Sequence, residues 1–251
     1  MLLIDIGNTR LKWCRREQVL KQAAQAIIHN NDFVAAFAEV FRQEKSVSAV
    51  AIASVQKAEV REQIKVACKQ VFGVDAFTPL SSRQCGKLKN VYPEPERLGV
   101  DRWLAMLGAL QLAQCAVCVV DCGSAVTFDF VSAEGQHQGG YIVPGAHIML
   151  TSLLGNTQNI RPTEKSQFDG QFNPGKNTGE AVMHGISFLI HSAIESAFRE
   201  ISSKLDENPR LFLTGGDSDW LAPTLSVPHT FCPDLVLYGL HVAAELSENM
   251  I

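Results

Sequence analysis

The sequence predicts an α/β fold built as two similar halves, and three observations lead there. After an opening meander of three strands, apolar strands alternate with segments of helical period. The order strand-strand-strand-helix-strand-helix then runs a second time, with the join near residue 115, which marks an internal duplication. Finally, each half begins with the same device, an apolar strand ending in Asp-x-Gly plus a small polar residue, followed by a second apolar strand. The two copies are Leu3-Ile4-Asp5-Ile6-Gly7-Asn8-Thr9 and Val119-Val120-Asp121-Cys122-Gly123-Ser124. The halves are expected at 1–115 and 116–251.

In order, residues 2–6 read as a buried strand, Gly7-Asn8-Thr9 as a turn, 11–14 as the returning strand and 23–28 as a third. Asn31-Asp32 caps a helix whose Phe33, Phe37, Val40 and Phe41 fall on one face. A strand over 47–55, a helix over 58–72 and a short strand over 74–78 follow. Residues 79–100, punctuated by Pro79, Pro93, Pro95 and Gly99, show little periodicity and read as a long loop of the kind that is often functional or mobile. A helix then starts near Asp101 and runs to about Cys115. The second half repeats the plan: strands over 117–121, 125–132 and 139–143, a helix to about Leu154, a loop over 155–176 and a long helix over 178–203. A strand at 211–213 enters Thr214-Gly215-Gly216-Asp217, and a helix from about Leu235 closes the chain.

Composition narrows the function. With 251 residues, 46% hydrophobic and 19% charged, the chain is an ordinary globular one. Its net charge of −4 supplies no basic field for nucleic acid. The N-terminus lacks a secretory pattern and no uninterrupted apolar run suits a membrane span, so a cytoplasmic protein without a membrane partner is expected. The seven cysteines, several within apolar runs, fit reduced core thiols; Cys115-x-x-Cys118 has no second pair at zinc spacing and reads as packing. The seven histidines show no metal-binding spacing. Trp13, Trp103 and Trp220 read as core or rim.

Two paired motifs carry chemistry. A carboxylate at a strand end, followed by exposed backbone N–H groups, suits a metal ion or its waters together with phosphate oxygens. Neither turn is a P-loop or a dinucleotide fingerprint. Gly99-Val100-Asp101-Arg102 sets a carboxylate beside a cation at a helix start. It is either a general base with an anion-orienting Arg, or a dipole-favoured carboxylate with Arg102 in a surface ion pair. Thr214-Gly215-Gly216-Asp217 is either a close approach to a nucleotide or a strand-to-helix turn. Gly139 to Gly145 reads as a structural bend, and Thr178 as an N-cap or a ligand contact.

Taken together, these pieces resemble the acetate and sugar kinase/Hsc70/actin superfamily and, within it, the type III pantothenate kinases. The matching stretches are Asp5 to Thr9, Gly99 to Arg102, Asp121 to Thr127, Gly139 to Gly145, Asn177 to Glu180 and Thr214 to Asp217, in family order over nearly the whole chain. The resemblance implies duplicated actin-like/ribonuclease H-like domains, each a mixed five-stranded sheet flanked by helices, with a cleft between them. It implies ATP-dependent phosphorylation of pantothenate, the first step toward coenzyme A, by a homodimer. Asp5, Ile6, Gly7, Asn8, Thr9, Arg10, Leu11 and Lys12 would form one ATP phosphate loop, with Asp5 holding Mg²⁺ directly or through water, and Ser124 would lie in the second loop. Asp101 would take the hydroxyl proton, and Tyr92, Gly99, Val100, Arg102 and Thr178 would line the pantothenate site. Asp121 would bind a monovalent cation, K⁺ or NH₄⁺. Ser124 stands where the family more often has threonine, keeping the hydroxyl and losing a methyl. The alternatives are a superfamily kinase for another small acceptor, a phosphatase using water, and a non-catalytic regulator.

Overall fold

The computed structural model describes residues 1–8, 10–44, 46–157, 168–205 and 208–248. The first unit opens with β1 (Leu2–Ile6), β2 (Arg10–Arg15), β3 (Gln25–Ile28), α1 (Phe33–Gln43), β4 (Val50–Ser54), α2 (Ala58–Phe72) and β5 (Ala76–Phe77). Its sheet has the order β3-β2-β1-β4-β5. The meander pairs are antiparallel, and β4 lies parallel to both β1 and β5. Period two sends Leu2, Ile4 and Ile6 to one face, where they join Phe37 and Val40 of α1 and Ile64 and Cys68 of α2 in a single core. Asp32 caps α1 by accepting the Ala35 N–H at 3.0 Å. Gly73, with φ +73°, ends α2 in the left-handed conformation that favours glycine.

The opposite face carries Leu3, Asp5 and, across the register, the small Ala51 and Ala53. Against β1 and β4 packs α7 (Leu235–Glu248), the last element of the chain. The compact units are therefore 1–112 with 234–251, and 113–233. This differs from the sequence halves, which leave the closing helix in the second. Its ties to the first unit are local to each end. Asp234 accepts the Ala24 N–H at 2.9 Å, and Arg16 pairs with Glu245 and Glu248. Between them α3 (Val100–Ala113), apolar almost all round and buried from Arg102 to Leu110, runs antiparallel to α7.

Residues 79–99 are more ordered than expected. They hold a small hairpin, β6 (Gln84–Cys85) with β7 (Leu88–Lys89), and a 3₁₀ turn at Pro95–Arg97. Two-residue strands leave no periodicity to read.

The second unit contains β8 (Val117–Cys122), β9 (Ala125–Val131), β10 (His137–Pro144), α4 (Ala146–Gly155), α5 (Thr178–Leu205), β11 (Arg210–Thr214), α6 (Ser218–Leu221) and β12 (His229–Phe231). Its order β10-β9-β8-β11-β12 and its pattern of strand directions match the first sheet. The duplication seen in the sequence is thus a duplication of topology. A register shift between His137 and Gly140, with Gly139 at φ +95°, makes the expected bend a β-bulge. The short α6 and β12 were not foreseen.

Against the expectation of no span, α5 has the length and mean hydropathy (1.2) of one, with 39% of that window buried. Its apolar stripe Val182, Ile186, Ile190 and Ile194 sits in the core of this unit. The same helix buries Glu195, which accepts both the Ser226 hydroxyl and its N–H. The Ser226 hydroxyl, first, and then its N–H hold the Glu195 carboxyl below the ordinary range, against the opposing effect of burial. A depressed folded value stabilises the fold above the unfolded value of ~4.3. That contribution fades as pH falls through the lower folded value. Glu195→Gln is expected to cost about 1–3 kcal/mol at neutral pH, with the gap to wild type narrowing below about pH 4. Urea unfolding at the two pH values measures this, and a pH-independent gap contradicts it.

Candidate active site

In the first unit the β1–β2 connection is a tight hairpin, in which the Gly7 N–H donates to the Arg10 carbonyl at 3.0 Å. The register sets Asp5 opposite Lys12 and Ile6 opposite Leu11. Asp5 and Lys12 are half-buried and share a face, while Asn8 and Arg10 are exposed at the tip. Ile6 and Leu11 are fully buried and present no surface to a ligand, so they shape the hairpin instead. Thr9 lies outside the described residues. A Cβ at Gly7 would meet only the Arg10 carbonyl, at an ordinary 3.5 Å. Glycine there leaves open space rather than relieving a clash. The Gly7 carbonyl accepts from two side chains, His29 Nε2 at 3.1 Å and Gln56 Nε2 at 3.2 Å.

The start of α3 brings the second group together. The Asp101 carboxylate folds back to accept the Arg102 N–H at 2.8 Å. A side chain at 99 would have its Cβ 2.6 Å from Asp101 Oδ1, so Gly99 is what lets the carboxylate take this pose. Arg102 corrects the surface ion-pair reading. It is only 7% exposed, and its guanidinium donates to the Tyr92 hydroxyl at 3.1 Å and sits 6.0 Å from the centre of that ring. Val100 is buried, leaving its backbone as the contact it can offer. Tyr92 is itself held from behind. Arg83 donates to the Tyr92 and Pro93 carbonyls, each at 2.8 Å, and Asn90 Oδ1 accepts the Tyr92 N–H. Sequence reading passed over Arg83 and Asn90, because a side chain that gathers distant carbonyls has no local pattern.

In the second unit the β8–β9 turn brings Asp121 next to hydroxyl-bearing neighbours across the register. Asp121 is half-buried, opposite Thr127 on β9 and beside Thr214 on β11. Ser124 is exposed at the tip, and its carbonyl accepts the Gly145 N–H at 2.9 Å. The Cys122 carbonyl accepts the Asp217 N–H at 2.8 Å. Gly215, at φ +93°, lies so close that a Cβ there would be 2.4 Å from Asp121 Oδ1. Thr214-Gly215-Gly216-Asp217 is thus a strand-to-helix turn pressed onto the Asp121 turn. Oxygen donors of this kind suit a hard cation better than a soft, thiolate-seeking one. Among the described residues no group of three or more His, Cys, Asp or Glu side chains could hold a metal ion. The Cys122 thiol is pushed well up by burial first, then by the charges of Asp121 and Asp217, the opposite of an activated thiolate.

Thr178 is exposed and begins α5, but it is not the cap. Asn177 Oδ1 accepts the Glu180 N–H at 3.0 Å, and Glu180 reaches back to the Lys176 N–H at 2.8 Å. Thr178 instead borders an apolar groove of about 780 Å³ with Leu153, Val182, Ile186, Phe188 and Leu189.

Two sheets of one topology, each with an aspartate at the first strand end, define an actin-like fold of the sugar-kinase class. An archaeal actin homologue of known structure shares it with a TM-score of 0.52 at 12% identity, covering 98% of this chain and 100% of that one. A Campylobacter jejuni protein described as a Baf family transcriptional activator gives a TM-score of 0.58 at 19% identity, over 99% and 100% of the two chains. The family model for type III pantothenate kinase matches residues 1–200, and the chain belongs to that family. The Chromohalobacter salexigens type III pantothenate kinase is 39% identical over 96% of this chain and 85% of its own. The Pseudomonas fluorescens type III pantothenate kinase is 35% identical over 98% and 100%.

Proposed function

We propose that the protein transfers the γ-phosphoryl group of ATP to the primary hydroxyl of pantothenate, forming 4'-phosphopantothenate, the first step of coenzyme A synthesis. The observation that carries this is the pose of Asp101, held at the start of α3 beside the buried Arg102 and its half-buried partner Tyr92. A carboxylate beside a fixed cation and phenol matches an acceptor with one hydroxyl to deprotonate and one carboxylate to bind. In this reading Asp101 accepts the hydroxyl proton, and Arg102, Tyr92, Thr178 and the backbone of Gly99 and Val100 hold pantothenate. The backbone at the tip of the Asp5–Lys12 hairpin, the Lys12 ammonium and Ser124 serve the phosphates, since phosphoryl transfer asks mainly for placement and charge neutralisation. Mg²⁺ accompanying ATP at Asp5, and K⁺ or NH₄⁺ at Asp121, would supply further positive charge. The exposed Phe188 and Leu189 on α5, beside the apolar groove, support a homodimer through this face. The seven cysteines, none of them in a disulfide among the described residues, support a cytoplasmic setting.

A coupled ADP-release assay with pantothenate as acceptor, run in potassium and in sodium, tests the reading. ADP release is expected only with pantothenate, and faster in potassium. Release without pantothenate points to a phosphatase, and no release under any condition to a regulator. Asp121→Asn is expected to abolish the potassium stimulation while leaving the sodium rate; a variant that still responds to potassium removes Asp121 from the cation site. Sedimentation at micromolar concentration is expected to show a dimer.

A further inference from the structure

The Gly7 carbonyl is unusual in having both lone pairs taken by side chains from two other connections. His29 follows β3 and is only 3% exposed; Gln56 follows β4. The His29 tautomer follows from its partners. The Asn31 N–H donates to Nδ1 at 3.0 Å, so Nδ1 is unprotonated and the proton sits on Nε2, aimed at Gly7. Asn30 and Asn31, at φ +45° and +64°, form the left-handed turn that makes this possible, and asparagine tolerates it well. The His29 ring also packs on Phe33 with centroids 5.1 Å apart. Gln56 is equally tied down. Its N–H donates to Ser54 Oγ at 3.3 Å and its carbonyl accepts from Arg61 at 2.9 Å.

A trans peptide is planar, and its C=O and the next N–H point in opposite directions. Two donors that pull the Gly7 carbonyl toward the protein therefore turn the Asn8 N–H away from it, to the exposed side of the hairpin tip. We infer that His29 and Gln56 are positioning residues that hold the Gly7 carbonyl and thereby aim the Asn8 amide at a phosphate oxygen of the nucleotide. This rests on reading the β1–β2 hairpin as the ATP loop.

The experiment is steady-state kinetics on the full chain with ATP and pantothenate varied in turn. His29→Phe keeps the ring against Phe33 and removes the N–H donor; Gln56→Met keeps length and removes the amide. Each is expected to raise the KM for ATP about five- to tenfold, the effect of losing one hydrogen bond, with the KM for pantothenate and kcat little changed. His29→Gln, which restores an N–H donor, is expected to recover most of the loss. The inference is overturned if His29→Phe and Gln56→Met leave the KM for ATP at the wild-type value, or raise both KM values together, as general loosening would. If His29→Phe does not fold, Gln56→Met alone decides. Lys12→Ala separates the two levels. If it leaves the KM for ATP unchanged, the ATP assignment of the hairpin fails and the inference with it. If it raises that KM while His29→Phe and Gln56→Met do not, only the positioning role fails.

Discussion

Asp101→Asn is expected to reduce kcat by ~10²–10⁴ while the KM for ATP stays close to wild type, a loss of about 3–5 kcal/mol of transition-state stabilisation. The substitution is nearly isosteric. An asparagine Oδ1 can still accept the Arg102 N–H that Asp101 accepts at 2.8 Å, so the start of α3 and its burial should survive. What disappears is the ability to take a proton. The helix N-terminus favours negative charge at this position, and the buried Arg102 beside it donates to the Tyr92 hydroxyl. Gly99→Ala tests the same group from outside. Its Cβ would stand 2.6 Å from Asp101 Oδ1, so the carboxylate must move while its chemistry is unchanged. A displaced base should lower kcat as well, by less than its removal. A near wild-type kcat in Asp101→Asn ends the assignment of Asp101 as the base.

Gly239→Ala is expected to be the most destabilising small substitution in the first unit, by roughly 3 kcal/mol or more. A Cβ there would lie 1.8 Å from the Leu104 carbonyl oxygen and 2.5 Å from its carbon. One helix along, a Cβ at Gly108 would meet the Leu235 carbonyl at 3.0 Å and the Gly239 nitrogen at 3.1 Å. The two helices touch backbone to backbone at these glycines, so the obstacle is not a side chain that can swing aside. Relief requires α3 and α7 to separate, which opens the buried Leu104, Leu107, Leu235 and Leu240. Gly155→Ala, at the end of α4 with nothing within 4 Å of its Cβ, is the control. It should be neutral or stabilising by up to ~0.5–1 kcal/mol. Thermal and urea unfolding of both variants measure the difference, and equal midpoints would contradict the close crossing. Because α3 carries Asp101 on its first turn, folded Gly239→Ala protein should also turn over more slowly.

Much of this was legible from local pattern. A strand shows its period of two and a helix its period of 3.6 within a dozen residues, so α2 over 58–72 and β1 over 2–6 emerge with their observed bounds. The two Asp-x-Gly turns were legible for the same reason, and the shared order of the two sheets follows from their repetition. Trp13 and Trp103, which read as core or rim, are both fully buried. What has no local signature had to wait for the fold. Arg102 could be read as an exposed ion-pair partner, because nothing in its neighbours reveals that Tyr92 closes over it. Thr178 and Asn177 are both good caps by type, and only the Glu180 N–H decides between them. His29 and Gln56 are 22 and 49 residues from Gly7 and meet it only because β1, β2, β3 and β4 belong to one sheet. The placement of α7 is the largest such case. Two copies of one strand-and-turn plan, and the chemistry each turn offers, are written in local pattern. That the last helix returns to the first copy emerges only in three dimensions, because side-by-side glycines on α3 and α7 express their fit only when the two helices are brought together.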